Sequence, residues 1–174
     1  MENKVLEALL ERRSIRKYQE KEVPAELIEE ILKAGAYAPS GMGKQPVIAV
    51  AVTKKETRDK LAHLNAAVMG ADIDPFYGAP AVIVVLADRS SMTYLYDGSL
   101  AMGNMMNAAH ALGLGSCWIH RAKEVMASEE GQALLKELGV EGDYEGIGNL
   151  ILGYLEGEMP EARPRKEKFA YWVK

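Results

Sequence analysis

The sequence predicts an α/β or α+β layer fold in which a sheet is covered on both faces by helices. Segments with apolar residues at helical spacing alternate with short apolar runs rich in valine, which are typical of buried strands. The chain has 174 residues, a length that suits one domain. Because no internal repeat or linker divides it, we expect a single domain over residues 1–174.

Five helices are predicted from apolar periodicity and from residues that begin or end helices. Pro24 suits a first helical position, and Gly139 is typical of the position just after a helix end. The predicted helices span residues 2–12, 24–35, 54–69, 97–112 and 124–138. The fourth is apolar on most sides, so we expect it to be buried at the centre of a homodimer. The alternative is a central core helix within a monomer.

Four strands are predicted from the continuous apolar runs. They span residues 47–53, 81–87, 116–119 and 148–155. Residues 72–80 form a loop, because Pro75, Gly78 and Pro80 interrupt regular structure there. Phe76 and Tyr77 in this loop are the aromatic candidates for lining the mouth of a site. The residues after 155 are expected to form an irregular tail.

Composition excludes several classes of protein. A single cysteine, Cys117, rules out a disulfide scaffold and fits a reducing compartment, so a cytoplasmic location is expected. No apolar run approaches the roughly 20 residues that span a bilayer, so no membrane association is expected. The net charge is −4, with two short basic clusters at residues 11–17 and 158–174. Neither resembles a nucleic-acid patch; they are either solvated surface or, if brought together, an anion site.

Motifs for side-chain catalysis and for metals are missing from the sequence. It has no phosphate-binding GxxxxGK[ST] loop, no GxSxG elbow and no HExxH pair. The three histidines, His63, His110 and His120, lie outside zinc-ligand spacing. We therefore assign no metal and no catalytic side chain, and expect a bound cofactor to carry any chemistry.

Three segments occur in an informative order. They are RRSIRKY at residues 12–18, APSGMGKQPV at 38–47 and ALGLGSCWI at 111–119, followed by an Arg-x-Arg near the end. Together they resemble the nitroreductase family of flavin enzymes. The resemblance implies an α+β fold with a central mixed, largely antiparallel sheet, in an intertwined homodimer. It also implies FMN at the interface, and electron transfer from NADH or NADPH through the flavin to a small-molecule acceptor such as a nitroaromatic or quinone, in ping-pong fashion.

The resemblance carries over to individual cofactor-binding residues. They are Arg12, Arg13, Ser14, Arg16, Pro39, Ser40, Met42, Gln45, Asn65, Trp118, Ile119, His120, Arg163 and Arg165. Arg12 and Ser14 are implied to contact the phosphate or ribityl chain, Arg13 to act mainly through its backbone, and Arg16 to lie beside the flavin N1–C2 carbonyl. The arginines of the tail, about 158–174, are implied to hold the phosphate, while the tail also contributes to the dimer.

The second segment, 39–45, is implied to reach the flavin from the partner subunit. Gly43 and Val47 depart from the family pattern, which often has Asn and an aromatic residue there; plain turn chemistry is an alternative explanation for Gly43. Residues 118–121 are implied to pass the flavin N5, where a backbone N–H binds it. His120 is either a proton donor or simply a half-exposed histidine at a strand end, and Asn65 is implied to lie near the pyrimidine.

Two functions from different classes fit these residues. The first is an FMN-dependent oxidoreductase that uses NADH or NADPH. The second is a flavin-binding carrier, sensor or flavin-processing protein without nicotinamide turnover. A third interpretation is a dimeric domain without a cofactor. The sequence names neither the acceptor nor the preferred nicotinamide.

Overall fold

A four-stranded antiparallel sheet organises the chain, in a computed structural model that describes residues 3–174. Its strands are β1 (Val47–Val52), β2 (Ala81–Asp88), β3 (Gly115–Ile119) and β4 (Tyr144–Gly153), in the order β1-β2-β4-β3. Parallel pairing occurs at one isolated bridge, between Ser14 and Ser116. The α+β fold with a largely antiparallel sheet is thus confirmed, although the four strands themselves pair antiparallel throughout.

Helices cover both faces of the sheet, as expected. They are α1 (Lys4–Glu11), α2 (Ala25–Ala36), α3 (Lys55–Met69), α4 (Tyr94–Ala111), α5 (Ala122–Ala127) and α6 (Glu129–Glu137), with a 3-10 turn at Gly41–Gly43. Side chains alternate along β2, so Ile83 and Val85 pack beneath α2 and α4 while Val84 and Leu86 pack on the opposite face. The two cores explain why β2 is apolar without interruption.

The predicted helix at 124–138 is two helices, which corrects the sequence prediction. Ser128 ends α5 and caps α6: its extended backbone breaks the helix, and its Oγ accepts the Gly131 N–H at 3.1 Å. A Cβ at Gly131 would lie 2.1 Å from the Val125 carbonyl oxygen, so the two helices meet at close range. Apolar periodicity continues across this break and conceals it.

Strand β4 and helix α4 begin several residues earlier than predicted, while the remaining boundaries differ by at most two residues. Strand β4 begins at Tyr144 instead of residue 148, because Glu145 and Gly146 pair with the end of β2 around a bulge. Helix α4 begins at Tyr94 instead of residue 97. In the first predicted helix, Asn3 caps α1 through its Oδ1, and residue 2 lies outside the described residues.

Helix α4 is buried on one face only, so the expectation of burial on all sides does not hold within one chain. Met102 and Met105 are buried against the sheet. On the outer side, Tyr96 is 72% exposed, and Leu95 and Leu100 are each 47% exposed. Helix α1 has no buried residue at all. Two helices therefore present unpartnered apolar surface. In residues 3–174, none of the helices is long and apolar enough to cross a membrane.

The predicted loop 72–80 is held in place by a buried arginine. Arg58 on α3 donates to the Ala79 carbonyl at 2.9 Å and to Asp74 Oδ2 at 2.7 Å. Phe76 is completely buried in the core, which corrects its expected place at the mouth of a site, whereas Tyr77 is 43% exposed. The loop is therefore an anchored segment that presents Tyr77.

We predict that Asp74→Asn lowers the free energy of unfolding by about 1 kcal/mol at neutral pH, a value reduced for partial exposure. Burial opposes ionisation of Asp74, but hydrogen bonds from Arg58 and from two backbone N–H groups outweigh it and lower the pKa. A lowered folded-state pKa stabilises above the unfolded-chain pKa, and the stabilisation is lost as pH falls through the folded-state value. Urea titrations at several pH values should show the difference shrinking in acid; a pH-independent difference, or an equal effect at exposed Asp72, would contradict this.

Candidate functional site

The basic segment 12–16 runs beside the edge strand β3. Ser14 bridges to Ser116, and the Ile15 N–H donates to the Ser116 carbonyl at 3.0 Å. Ile15 is buried, whereas Ser14 and Arg16 are exposed, as alternation along an extended segment requires. The segment therefore extends the sheet and presents polar side chains at the β3 edge.

Several buried polar atoms without partners belong to residues along this edge. Within residues 3–174 they are Arg12 Nη1, Arg13 Nε, Asn65 Oδ1, Ser116 Oγ and Trp118 Nε1. Every one belongs to the basic segment, to β3, or to the α3 residue that contacts the end of β3. A buried polar group without a partner costs about 1–3 kcal/mol, and more if charged. An anionic ligand would give partners to the donors among these atoms in and beside the basic segment, Arg12 Nη1, Arg13 Nε and Ser116 Oγ, and would remove their share of this cost.

The two leading arginines differ in how they are held. Arg13 Nη1 donates to the carbonyls of Leu10, at 2.8 Å, and Arg12, at 2.9 Å, so it binds the end of α1. Arg12 is half-buried and its Nη1 has no partner. Guanidinium groups suit phosphate oxygens, because they remain charged and donate in a fixed fork. Arg12 is therefore the better placed of the two to meet an anion.

Arg16 lies beside the anchored loop. Its guanidinium carbon is 5.9 Å from the centre of the Tyr77 ring, and Tyr77 has a positive φ of 53°. Tyr18, two residues on, is buried and donates its hydroxyl to the Ile15 carbonyl at 2.7 Å. Burial raises the pKa of Tyr18 far above its ordinary value, so it stays protonated. These contacts fix the backbone on both sides of Arg16.

Two asparagines converge on the end of β3. Asn65 Nδ2 on α3 donates to the His120 carbonyl at 2.7 Å, and Asn149 Nδ2 on β4 approaches the same oxygen at 3.4 Å. The rings of Trp118 and His120 lie 6.1 Å apart. Next along the chain, Arg121 has a positive φ of 77° and starts α5. A groove of about 530 Å³ opens here.

Segment 39–45 lies at the opposite edge, just before β1. The Gln45 N–H donates to Ser40 Oγ at 3.0 Å, and the Gly41 N–H donates to Asp97 Oδ1 at 3.0 Å. Met42 and Gln45 have positive φ angles of 54° and 49°. Gly43 has a φ of 65°, a conformation that glycine adopts without strain, which favours turn chemistry there.

Asp97 is a residue that the sequence analysis missed. It is 3% exposed, accepts the Thr93 hydroxyl at 2.8 Å and holds Gly41 from α4. The lone carboxylate in the first turn of a largely apolar helix was the available signal, but its partner lies 56 positions away in sequence. Asp97 therefore fixes the shape of segment 39–45.

The structure does not bring all expected site residues together within one chain. Two strands separate β1 from β3, so the two edges are about 14 Å apart at ordinary strand spacing. Residues 12–16, Asn65 and 118–120 gather at the β3 edge, whereas Pro39, Ser40, Met42 and Gln45 lie at the β1 edge. Arg163 and Arg165 belong to an exposed tail without helix or strand.

We predict that Gly41→Ala destabilises segment 39–45. The new Cβ would lie 2.2 Å from Thr93 Oγ1, so the unfolding free energy should fall by about 1–3 kcal/mol. Chemical denaturation measures the change. The double variant Gly41→Ala/Thr93→Ala removes the obstructing atoms, so its loss should be smaller than the sum of the two single losses. Additive losses would show that the contact with Thr93 is not the cause.

Comparison with known proteins identifies relatives of this chain. A family model described as "Nitroreductase family" matches residues 9–73 and 70–154. A protein from Methanothermobacter thermautotrophicus, provisionally named an NADH dehydrogenase/NAD(P)H nitroreductase, is 40% identical over 118 residues, which are 66% of this chain and 59% of that relative. A protein with the same provisional name from Archaeoglobus fulgidus is 35% identical over 159 residues, 88% of this chain and 86% of that relative.

A solved structure also resembles this chain throughout. The nitroreductase from Bacteroides fragilis, determined with bound FMN, has a TM-score of 0.90 and 30% identity, and the match covers 99% of this chain and 100% of that one. The resemblance inferred from the three sequence segments is confirmed by the family model, the relatives and this structure. The chain belongs to the nitroreductase family.

Proposed function

We propose that this protein is an FMN-dependent oxidoreductase that passes electrons from NADH or NADPH to a small-molecule acceptor, such as a nitroaromatic or a quinone, in ping-pong fashion. The observation that carries the proposal is the set of unpartnered buried donors in and beside segment 12–16, which are Arg12 Nη1, Arg13 Nε and Ser116 Oγ. The names of the two archaeal relatives and the FMN in the B. fragilis structure agree with it.

The residues at the β3 edge fit FMN. The unpartnered guanidinium nitrogen of Arg12 and the hydroxyls of Ser14 and Ser116 suit the phosphate and the ribityl chain. Arg16, braced by Tyr77, suits the pyrimidine carbonyl of the ring. The peptide that joins His120 to Arg121 suits the N5 side of the flavin ring, opposite the pyrimidine carbonyl. FMN, when bound, supplies reversible two-electron chemistry, which no side chain of this protein can supply.

The protein contributes binding, charge and shape to this chemistry. A fixed guanidinium at Arg16 favours negative charge on the ring, because arginine does not lose its proton. The backbone at residues 118–121 is held by hydrogen bonds and therefore offers a preorganised edge. We assign no proton transfer to His120, since it is exposed and flavin N5 is protonated readily from solvent.

We propose further that two copies form the complete site. Segment 39–45 and the basic segment lie at opposite edges of one sheet, with two strands between them, and we infer that a second chain brings the two together at one flavin. Apolar residues of α1 and α4 are exposed in one chain, including Leu10 at 73% and Tyr96 at 72%. An obligate interface of this kind buries about 2,000–5,000 Å². We also propose that the tail, with Arg163 and Arg165, contributes to this interface and to the phosphate site, and the lone cysteine suits the cytoplasm.

Anaerobic stopped-flow mixing of the FMN-loaded protein with NADH and with NADPH tests the proposal. Loss of the oxidised flavin absorbance with either donor, followed by its return when an acceptor is added, is the expected result. An FMN-loaded protein that neither donor reduces would instead be a flavin carrier, sensor or processing protein. A colourless protein that does not take up added FMN would overturn both. A stable FMN-loaded monomer in light scattering would contradict the dimeric site.

A further inference from the structure

We propose that Asn65 and Asn149 are positioning residues that aim the backbone N–H of Arg121 at the flavin. Their amides hold the His120 carbonyl from the protein side, and this fixes the direction of the next N–H. The inference rests on the proposed function, because it gives that N–H a ligand. It assigns Asn65 an indirect role in place of the pyrimidine contact that the family resemblance implies.

The two amides form a buried clamp on one oxygen. Asn65 is 0% exposed and Asn149 is 1% exposed, so neither side chain reaches a bound ligand without rearrangement. Asn65 Nδ2 lies 2.7 Å from the His120 carbonyl oxygen, and Asn149 Nδ2 lies 3.4 Å from it. Asn149 pairs with Ile119, the last residue of β3, and so reaches one residue beyond the strand. The clamp therefore joins α3, β4 and the end of β3 at a single peptide.

Because the peptide unit is planar, the clamp on the His120 carbonyl also fixes the direction of the Arg121 N–H. The His120 carbonyl and the Arg121 N–H belong to the same planar trans unit and point in opposite directions. When the oxygen is held inward by Asn65 and Asn149, the N–H must point outward. His120 and Arg121, together with Trp118, line the groove described above, and we place the N–H toward it.

The conformation of Arg121 depends on this support. Its φ of 77° is uncommon for a residue other than glycine. Such conformations persist where the surroundings enforce them, and they cluster at ligand sites. The Arg121 carbonyl accepts the Val125 N–H at 2.9 Å, and its guanidinium pairs with Glu124 at 3.0 Å. Because the carbonyls of His120 and Arg121 both accept hydrogen bonds within the protein, the Arg121 N–H is the polar backbone group left to meet a ligand.

The expected ligand atom is N5 of the oxidised flavin ring, which accepts hydrogen bonds. An N–H aimed at N5 polarises the ring and makes N5 a better electron acceptor. Loss of the clamp would let the peptide rotate, weakening this hydrogen bond without removing any group that touches FMN directly. The consequence is a change at N5 with little change in FMN affinity.

Asn65→Leu tests this inference, since it keeps the volume and removes the donor. Sulfite adds to N5 of oxidised flavins, so its dissociation constant measured with the FMN-loaded protein reports the state of N5. We expect sulfite affinity to fall about 3- to 10-fold, the ratio that one ordinary hydrogen bond represents. Backbone hydrogen exchange in a peptide covering residues 119–123 should also become faster. FMN affinity should change less than 3-fold.

The matched control is Asn104→Leu. Asn104 Nδ2 donates to the Ala34 carbonyl at 3.1 Å, the same kind of bond, but it joins α4 to α2. This variant should leave both sulfite affinity and exchange at residues 119–123 unchanged. Asn149→Leu should shift both in the same direction as Asn65→Leu but less, because its bond is longer; it also decides the matter if Asn65→Leu does not fold.

These measurements distinguish failure of the proposed function from failure of the clamp inference. If the wild-type protein does not bind FMN, the proposed function is overturned, and the flavin role of the clamp with it. If FMN binds and is reduced by NADH or NADPH, but sulfite affinity in the folded asparagine variants equals that of the wild type or of Asn104→Leu, the clamp inference alone is wrong.

Discussion

Deletion of residues 158–174 should weaken FMN binding by 100-fold or more while leaving the fold intact. The deletion removes Arg163 and Arg165, which we place on the phosphate. Each charge-assisted hydrogen bond contributes about 1.5–3 kcal/mol, so the loss of two corresponds to at least about two orders of magnitude in dissociation constant. Every residue of this tail is exposed, so its loss opens no core. Quenching of FMN fluorescence on titration measures the affinity.

A shorter deletion separates the arginines from the apolar end of the tail. Removal of residues 167–174 takes away Phe169, Tyr171 and Trp172, which are 81–90% exposed, but keeps both arginines. If these aromatic residues pack against a second copy, the shorter deletion should raise the dissociation constant of the dimer. FMN affinity, measured at a protein concentration that keeps the dimer saturated, should change less. Unchanged FMN affinity after the longer deletion would refute the phosphate role of the tail.

Helices and strands were predicted well from the sequence where a single spacing of apolar residues runs through the whole element. Strand β2 is apolar at every position from Ala81 to Ala87 because helices cover both of its faces, and such a run is unambiguous. The break at Ser128 was missed because apolar spacing continues through it, and a cap depends on backbone direction that periodicity does not encode. The early start of β4 was missed because Glu145 and Gly146 resemble loop residues and join the sheet only by pairing with β2.

The candidate site residues could be proposed from sequence where a contiguous motif carries them. Segment 12–16 was proposed because its residues adjoin in sequence, and the structure shows that it runs beside β3. Asp97 and Asn149 were missed because each acts on a backbone group from a distant element, and neither residue type at its position indicates a partner. Asn65 was among the expected site residues, but its complete burial favours a role through His120.

Arg16→Ala and Arg165→Ala should have opposite signatures. Reduction of the flavin to its anionic form places negative charge near the N1–C2 carbonyl, where we place Arg16. The guanidinium favours that form, so Arg16→Ala should lower the two-electron midpoint potential more than it weakens binding of oxidised FMN. A charge-assisted contact of about 1.5–3 kcal/mol corresponds to about 30–65 mV for a two-electron couple.

Arg165→Ala should instead weaken FMN binding equally in both redox states, because the phosphate charge does not change on reduction. Its midpoint potential should therefore stay at the wild-type value while its FMN dissociation constant rises.

Tyr77→Leu is a useful companion to Arg16→Ala. It removes the ring that lies 5.9 Å from the guanidinium carbon but keeps the charge, so it should shift the midpoint potential in the same direction by a smaller amount. Spectroelectrochemical titration and FMN titration of each variant give both quantities. Suppose instead that Arg16→Ala leaves the midpoint potential unchanged while Arg165→Ala shifts it. The assignment of the two basic clusters would then be wrong and must be exchanged, because only a charge beside the ring changes its interaction energy when the ring is reduced.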